Sequence, residues 1–145
     1  KAMQDEWSTD IGVGCKYFSQ DAVNKLAPRA GIELDEALSP AEKLKVVQAL
    51  MEKDDPRAQA VSRDIGIYRA YATQQYRQYY DMHHLMLLGR VMSGKGGDLI
   101  LSTCQEVLKN QFPAIYEKVQ VMLPDEDTRR VGQSAAAASL PALRK

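Results

Sequence analysis

The sequence predicts a single helix-rich α/β domain with a small sheet, and three observations support this fold class. The chain has 145 residues, which is the length of one domain of ordinary size. Several segments place apolar residues three or four positions apart, as the buried faces of amphipathic helices do. Two short apolar segments, 85–88 and 119–123, fit strands, and between them lie a glycine-rich turn and a helical segment. We therefore expect residues 1–145 to form one domain.

Start signals place the first helices along the chain. Ser19 is a suitable N-cap for a first helix, since its hydroxyl can accept a hydrogen bond from a free backbone N–H. Ser39 and Glu42 have the spacing of a capping box, with a proline at the first helical position, and start a second helix. Asp55 and the proline after it start a long third helix over 57–80.

Polarity, glycine and proline assign the other segments. Residues 1–17 are mixed in polarity and are expected to be extended or rich in turns. Gly66 weakens the long helix by about 1 kcal/mol relative to alanine, but it allows another backbone to approach. The helix after the glycine-rich turn ends before Pro113, and a last helix is predicted from near Asp127, through a run of alanines, to Pro141.

Composition and charge exclude several classes of partner and location. Lys and Arg number 19 and Asp and Glu also number 19, so the chain has no overall charge that favours nucleic acid or an anionic membrane. No apolar run approaches the roughly 20 residues that cross a bilayer, and the N-terminus lacks a signal-peptide pattern. Cys15 and Cys104 have no second ligand at metal-binding spacing and are expected to be reduced thiols. We therefore expect a soluble cytoplasmic protein with no nucleic-acid or membrane partner.

The glycine-rich turn is the strongest chemical signal in the sequence. Residues 89–96 match the spacing of a phosphate-binding P-loop as far as Lys95. The next position in a P-loop must be serine or threonine, because its hydroxyl holds magnesium, and Gly96 has no side chain to do so. Two interpretations remain open. Glycines at a strand-to-helix turn can bring free N–H groups to an anionic ligand or a sugar hydroxyl, or they can form a tight turn without a ligand.

Side-chain patterns predict no catalytic residue and no metal site. His83 and His84 lie near Asp81, but neighbouring residues on a strand point to opposite faces, and the chain has no other histidine. No carboxylate pair, Ser-His-Asp set or Cys-His set has a spacing that supports catalysis. The tyrosines of the long helix could stack bases, but the neutral charge favours a helix with a buried stripe and an aromatic rim. These tyrosines are Tyr68, Tyr71, Tyr76, Tyr79 and Tyr80.

The order of elements from Gly12 to the end resembles the C-terminal lobe of the superfamily that includes acetate and sugar kinases, heat-shock ATPases and actin. It is most similar to the ROK group of sugar kinases. In that group a long helix leads to a buried strand that ends in a glycine-rich turn, and segments 65–67 (IGI) and 85–89 (LMLLG) have the same order and spacing. Segment 130–137 (RVGQSAAA) resembles the group's final helix of glycine and small residues. The resemblance implies a ribonuclease-H-like, actin-fold half-domain, the C-terminal lobe of a longer two-lobe protein.

The sequence departs from the ROK pattern at three places. The glycine pair that usually ends the strand is replaced by Gly89 and Arg90. The cysteine-rich zinc motif of many ROK proteins is missing, and Cys15 does not rebuild it. The N-terminal lobe, with its phosphate loop and catalytic aspartate, is also missing, and segment 10–14 (DIGVG) resembles that loop only superficially because no apolar strand precedes it.

The resemblance implies a function for the turn. The chain would be the nucleotide-side lobe of a ROK-like sugar kinase or related ATPase, inactive alone, and it would bind ATP with magnesium through the backbone of Gly89, Ser93, Gly94, Gly96 and Gly97. The base and metal ligands for phosphoryl transfer would come from the N-terminal lobe of the same protein or a second copy, and the complete protein would act on a sugar. The alternative is a non-catalytic protein-interaction or oligomerisation module of the same fold.

Overall fold

The computed structural model of the chain describes residues 4–6 and 8–124. Helices dominate this part of the chain, and two strands form a small parallel sheet, so the expected helix-rich α/β class is confirmed. The elements in chain order are α1 (Cys15–Phe18), α2 (Gln20–Arg29), α3 (Pro40–Glu52), α4 (Pro56–Tyr79), β1 (His84–Met86), a 3₁₀ helix (Arg90–Met92), α5 (Gly94–Gln111), α6 (Pro113–Tyr116) and β2 (Gln120–Met122).

The predicted helix starts are confirmed by their capping hydrogen bonds. The side chain of Ser19 accepts a hydrogen bond from the backbone N–H of Asp21 at 3.1 Å, at the start of α2. Both hydrogen bonds of the capping box at Ser39 are formed at the start of α3. The carboxylate of Asp55 accepts from the N–H of Arg57 at 2.9 Å and begins α4.

Helices α4 and α5 cross closely at Gly66, as the sequence predicts. A Cβ atom on this glycine would lie 2.7 Å from Cβ of Thr103 and 2.8 Å from the carbonyl oxygen of Ile100. These distances are shorter than van der Waals contact, so α5 occupies the space that a side chain would need. The core lies around this crossing. Its largest fully buried side chains are Ile65, Met92, Ile100, Leu108, Val61, Thr73 and Cys104.

Strands β1 and β2 form a parallel pair joined by α5 and α6, in a β-α-β unit. Leu85 is paired with Val121 in the register, and Val121 is buried. The sequence predicts a buried strand over 85–88, and this prediction is wrong in part. The strand is shorter, and Met86 and Leu88 are 44% and 46% exposed, because the core covers only the other face of the sheet within the described residues.

The N-terminal lead-in has the turn-rich character that the sequence predicts. Gln4 and Ile11 form an isolated bridge, and Gly12 adopts a positive φ of 82°. The predicted last helix and the ROK-like segment 130–137 lie outside the described residues. Within the part of the chain that the structure describes, no helix has both the length and the apolar character needed to cross a membrane.

Candidate functional site

An open cleft of about 580 Å³ lies at the carboxyl end of β1. Residues 88–91, which follow the strand, line one part of it, and residues 14–15 and 18–21, at the junction of α1 and α2, line another. Leu44 of α3 and Arg69 of α4 complete the lining. Ligands of α/β proteins bind outside the carboxyl ends of parallel strands, so this cleft is the candidate site.

Gly89 gives the cleft a backbone surface. Its φ of 110° and ψ of 165° are accessible almost only to glycine. A Cβ atom at this position would meet nothing within 4 Å, so glycine is required by the backbone conformation and not by lack of space. The carbonyl of Gly89 accepts from the N–H of Met92 at 3.0 Å, which ties the turn to the 3₁₀ helix. A ligand can therefore approach this turn without meeting a side chain.

Arg69 brings a partly buried cation to the cleft from α4. Its Nη2 donates to the carbonyl oxygen of Phe18 at 3.0 Å, and its guanidinium carbon lies 5.4 Å from the centre of the Phe18 ring. Its Nε is buried without a hydrogen-bond partner in the described part of the chain. Burial lowers the pKa of Arg69, because desolvation disfavours the charged form. Arg69 thus lines the cleft and has an unpaired N–H donor on Nε.

Lys16 pairs with three carboxylates around the α1–α2 junction. Its side chain is 6% exposed, and its Nζ pairs with Glu6, with Asp21 at 3.0 Å and with Asp5 at 3.6 Å. The hydrogen bonds to Glu6 and Asp21 raise the pKa of Lys16 above its usual value. Asp21 is the one carboxylate among the described cleft-lining residues, and it shares Lys16 with Asp5 and Glu6. The guanidinium groups of Arg69 and Arg90 remain as positive charge in the lining.

Of the predicted nucleotide-proximal residues, Gly89 lines the cleft and the other four do not. Ser93 is the N-cap of α5, but its side chain makes no capping hydrogen bond. Gly94 has a φ of 64°, and a Cβ atom on it would lie 2.9 Å from Oε1 of Glu52. Gly94 therefore brings the start of α5 to the end of α3.

Gly96 and Gly97 lie against the protein's own interior. A Cβ atom on Gly96 would be 3.5 Å from Oγ of Ser62 and 3.7 Å from Cγ of Met51. A Cβ atom on Gly97 would be 2.1 Å from the carbonyl oxygen of Met92. Gly97 is thus needed for the 3₁₀ helix to pack on α5. This favours the interpretation of this part of the turn as a tight turn without a ligand.

Lys95 also points away from a phosphate site. Its Nζ lies 3.0 Å from both carboxylate oxygens of Asp54 and donates to the carbonyl of Glu52 at 3.2 Å. A P-loop lysine has to reach the phosphates of its ligand. The geometry therefore agrees with the sequence argument against a P-loop.

Sequence reasoning missed Arg69 and the α1–α2 junction. The signal for Arg69 was present, because it lies four residues after Ile65 and four before Thr73, both of which are buried. A charged residue on the buried face of a helix is rare unless it is paired or has a function. The junction carries no such signal, since Gly14 and Ser19 reach the cleft only through the packing of α2.

Other predicted features lie outside the cleft. His83 and His84 are exposed and line a second cleft of about 420 Å³ near the amino end of the sheet. The described residues hold no group of three or more side chains placed to bind a metal ion. Tyr68 packs against the core, and the other tyrosines of α4 are exposed, which fits a buried stripe with an aromatic rim.

The described lining of the cleft holds groups that can bind a ligand. It offers a bare backbone turn and two guanidinium groups, while its one described carboxylate is held by Lys16. No protein-family model, curated protein or solved structure matches the chain. The geometry of the cleft and the resemblance in the sequence therefore carry the functional proposal.

Proposed function

We propose that the chain is the nucleotide-side lobe of a ROK-like, actin-fold sugar kinase or related ATPase, and that it is inactive alone. The observation that carries this proposal is the cleft at the carboxyl end of β1, where Gly89 turns the backbone. The resemblance gives the turn after this strand the adenosine side of an ATP site. ATP with magnesium is the proposed ligand, and Gly89 is the contact residue retained from the predicted set.

The size and charge of the cleft suit a nucleotide. Its volume of about 580 Å³ lies within the range of small-molecule sites, which is about 300–1,000 Å³. Two of the three charged residues in its described lining are arginines, and a nucleotide is anionic. Phosphoryl transfer also needs metal ligands and a positioned base. Because Lys16 holds Asp21, we assign those groups to a second lobe of the same protein or to a second copy, which would also bring the sugar.

Thermal melting with and without magnesium ATP tests nucleotide binding by the chain. A ligand that binds only the folded state raises the melting temperature, and at a concentration of 100 Kd it adds about 2.7 kcal/mol. Leu88→Trp puts a large ring at the cleft and is expected to reduce the shift. Met86→Trp is the matched control, because Met86 has nearly the same exposure on the same face but does not line the cleft. The proposal is contradicted if magnesium ATP does not raise the melting temperature of the unaltered chain. It is also contradicted if Leu88→Trp shows the same rise as the unaltered chain.

The claim that the chain is inactive alone has a separate test. Purified protein, incubated with magnesium ATP and a panel of hexoses, is expected to form no sugar phosphate and no ADP above the rate without enzyme. Its cleft lacks a free carboxylate to accept the hydroxyl proton in the described residues. Sugar-dependent release of ADP by this chain would show that it contains a complete active site.

A non-catalytic interaction module is the second candidate function. Met86 and Leu88 leave an apolar face of the sheet open, and Tyr79 and Tyr80, at 78% and 66% exposure, add aromatic surface at the end of α4. Contiguous exposed apolar surface is typical of interaction sites. Sedimentation equilibrium distinguishes the two candidate functions. Self-association of the unaltered chain that is lost in Met86→Ser favours the interaction module, provided that nucleotide does not change the melting temperature.

A further inference from the structure

We propose that Arg69 is the anion-binding residue of the cleft and that it binds a phosphate group, either free or carried by a small molecule. The proposal adds a phosphate-binding residue to the proposed nucleotide site. It depends on the proposed function only for the position of the ligand. Two features of the structure carry it: the unused hydrogen-bonding capacity of the Arg69 side chain, and the charges that surround it.

The protein satisfies the guanidinium of Arg69 only in part. A guanidinium has N–H donors on all three nitrogens. One donor on Nη2 reaches the carbonyl of Phe18 at 3.0 Å, and the Phe18 ring contacts the cation. The buried Nε has no partner in the described part of the chain. Buried donors are nearly always paired in proteins, so the unpaired Nε needs an acceptor that the described residues do not supply.

Arg69 has no counter-ion among the described residues, unlike Arg57 and Arg77 on the same helix. Arg57 pairs with Asp55 and Arg77 pairs with Asp81, each at 2.8 Å. No carboxylate in the described residues forms an ion pair with Arg69. A partly buried cation without a counter-ion is destabilising for the free protein, and an anion in the cleft would remove that cost.

The rest of the described lining adds one positive residue, Arg90, and one carboxylate, Asp21. The carboxylate of Asp21 is held by Lys16 at 3.0 Å. Arg90 brings a second guanidinium from the segment after β1, and Nε2 of Gln48 fixes its backbone carbonyl at 3.0 Å. An anion that enters the cleft therefore meets cations from two different elements.

A phosphate group fits this setting best. The planar fork of a guanidinium matches the oxygens of phosphate and can bind two of them at once. A cleft of about 580 Å³ is much larger than a phosphate ion, so it leaves room for the organic part of a phosphorylated molecule. The bare backbone at Gly89 allows that part to lie close to the turn.

Calorimetric titration with inorganic phosphate, AMP and adenosine tests the proposal. AMP is expected to bind at least tenfold more tightly than adenosine, which lacks the phosphate group. Arg69→Met is expected to weaken the binding of phosphate and AMP by about 10- to 100-fold, the loss of a charge-assisted hydrogen bond. Arg63→Met, an exposed position on the same helix and outside the cleft lining, is expected to leave both affinities unchanged.

The melting temperature without ligand separates binding from a structural role. Arg69→Met removes a cation without a counter-ion together with its hydrogen bond to Phe18, so its melting temperature is expected to stay close to that of the unaltered chain. A lower melting temperature with unchanged phosphate affinity would make Arg69 a structural residue and overturn the proposal. If Arg69→Met does not fold, Arg69→Lys keeps the charge without the planar fork. It is expected to bind phosphate several-fold more weakly, and an unchanged affinity overturns the proposal.

The same titrations distinguish this proposal from the proposed function. Equal affinity for AMP and adenosine, or equal stabilisation of the unaltered chain and Arg69→Met by ATP, overturns the anion site and leaves nucleotide binding in place. Phosphate binding through Arg69 with no gain in affinity for AMP or ATP supports the anion site and contradicts the nucleotide function.

Discussion

At the scale of single residues, two neighbouring glycines of α5 have different reasons to be glycine. A Cβ atom on Gly96 would make ordinary contacts with Ser62 and Met51, at 3.5 and 3.7 Å. A Cβ atom on Gly97 would lie 2.1 Å from the backbone carbonyl oxygen of Met92, which cannot move without displacing the 3₁₀ helix. Comparing the two positions therefore shows how closely α5 packs against the 3₁₀ helix.

Alanine at these two positions is expected to have opposite effects on stability. Gly96→Ala should raise the free energy of unfolding by about 0.5 kcal/mol, because alanine restricts the unfolded chain and is better in a helix. Gly97→Ala should lower it by about 3 kcal/mol through overpacking. Urea denaturation of the two variants checks this. Similar changes in both variants would show that Gly97 does not contact the backbone of Met92.

The residue scale also shows how much of the site could be predicted from the sequence. Gly89 could be found, because a glycine directly after a strand signals an unusual backbone conformation at a ligand-accessible position. Gly94, Gly96 and Gly97 are in the same stretch of sequence, yet they contact α3, α4 and the 3₁₀ helix. Local sequence indicates that the backbone needs space, but only the tertiary packing determines what fills that space. Arg69 could have been found from its place on the buried stripe of α4.

At the scale of elements, helix starts were predictable and the strand was not. The caps at Ser19, Ser39 and Asp55 are local, since each side chain bonds to an N–H group two or three residues away. The burial of strand residues depends on what covers each face of the sheet, which no local pattern specifies. Met86 is apolar and exposed for this reason.

The stability that Asp55 contributes at the start of α4 depends on pH. The Arg57 guanidinium and N–H hold the pKa of Asp55 down to about 2. The unfolded chain has a carboxyl pKa of about 3.9, so this contribution is complete above that pH and is lost as the pH falls towards 2. Asp55→Asn keeps the helix cap but removes the titration.

Melting temperatures measured from pH 6 to pH 2 test this assignment. Above pH 5 the unaltered chain should melt at a higher temperature than Asp55→Asn, and the difference should shrink as the pH falls through the range from 4 to 2. Other carboxylates titrate in both proteins, so the difference isolates Asp55. Parallel curves would mean that the Asp55–Arg57 pair adds no stability.

At the scale of the whole molecule, the sheet is the feature that a second lobe would explain. Parallel strands are usually covered on both faces, because their connections place helices there. The described residues cover one face and leave Met86 and Leu88 exposed. A partner that covers this face is consistent with the proposed C-terminal lobe of a two-lobe kinase.

Amide-resolved NMR during a titration with magnesium ATP tests the central claim most directly, and a chain of 145 residues is small enough for it. The proposed site predicts saturable shifts at amides 14–21 and 88–91, which surround the cleft, and little change at 94–97, which lie outside its lining. Absence of shifts at millimolar ATP, or shifts confined to 94–97, would contradict the assignment of the cleft as a nucleotide site.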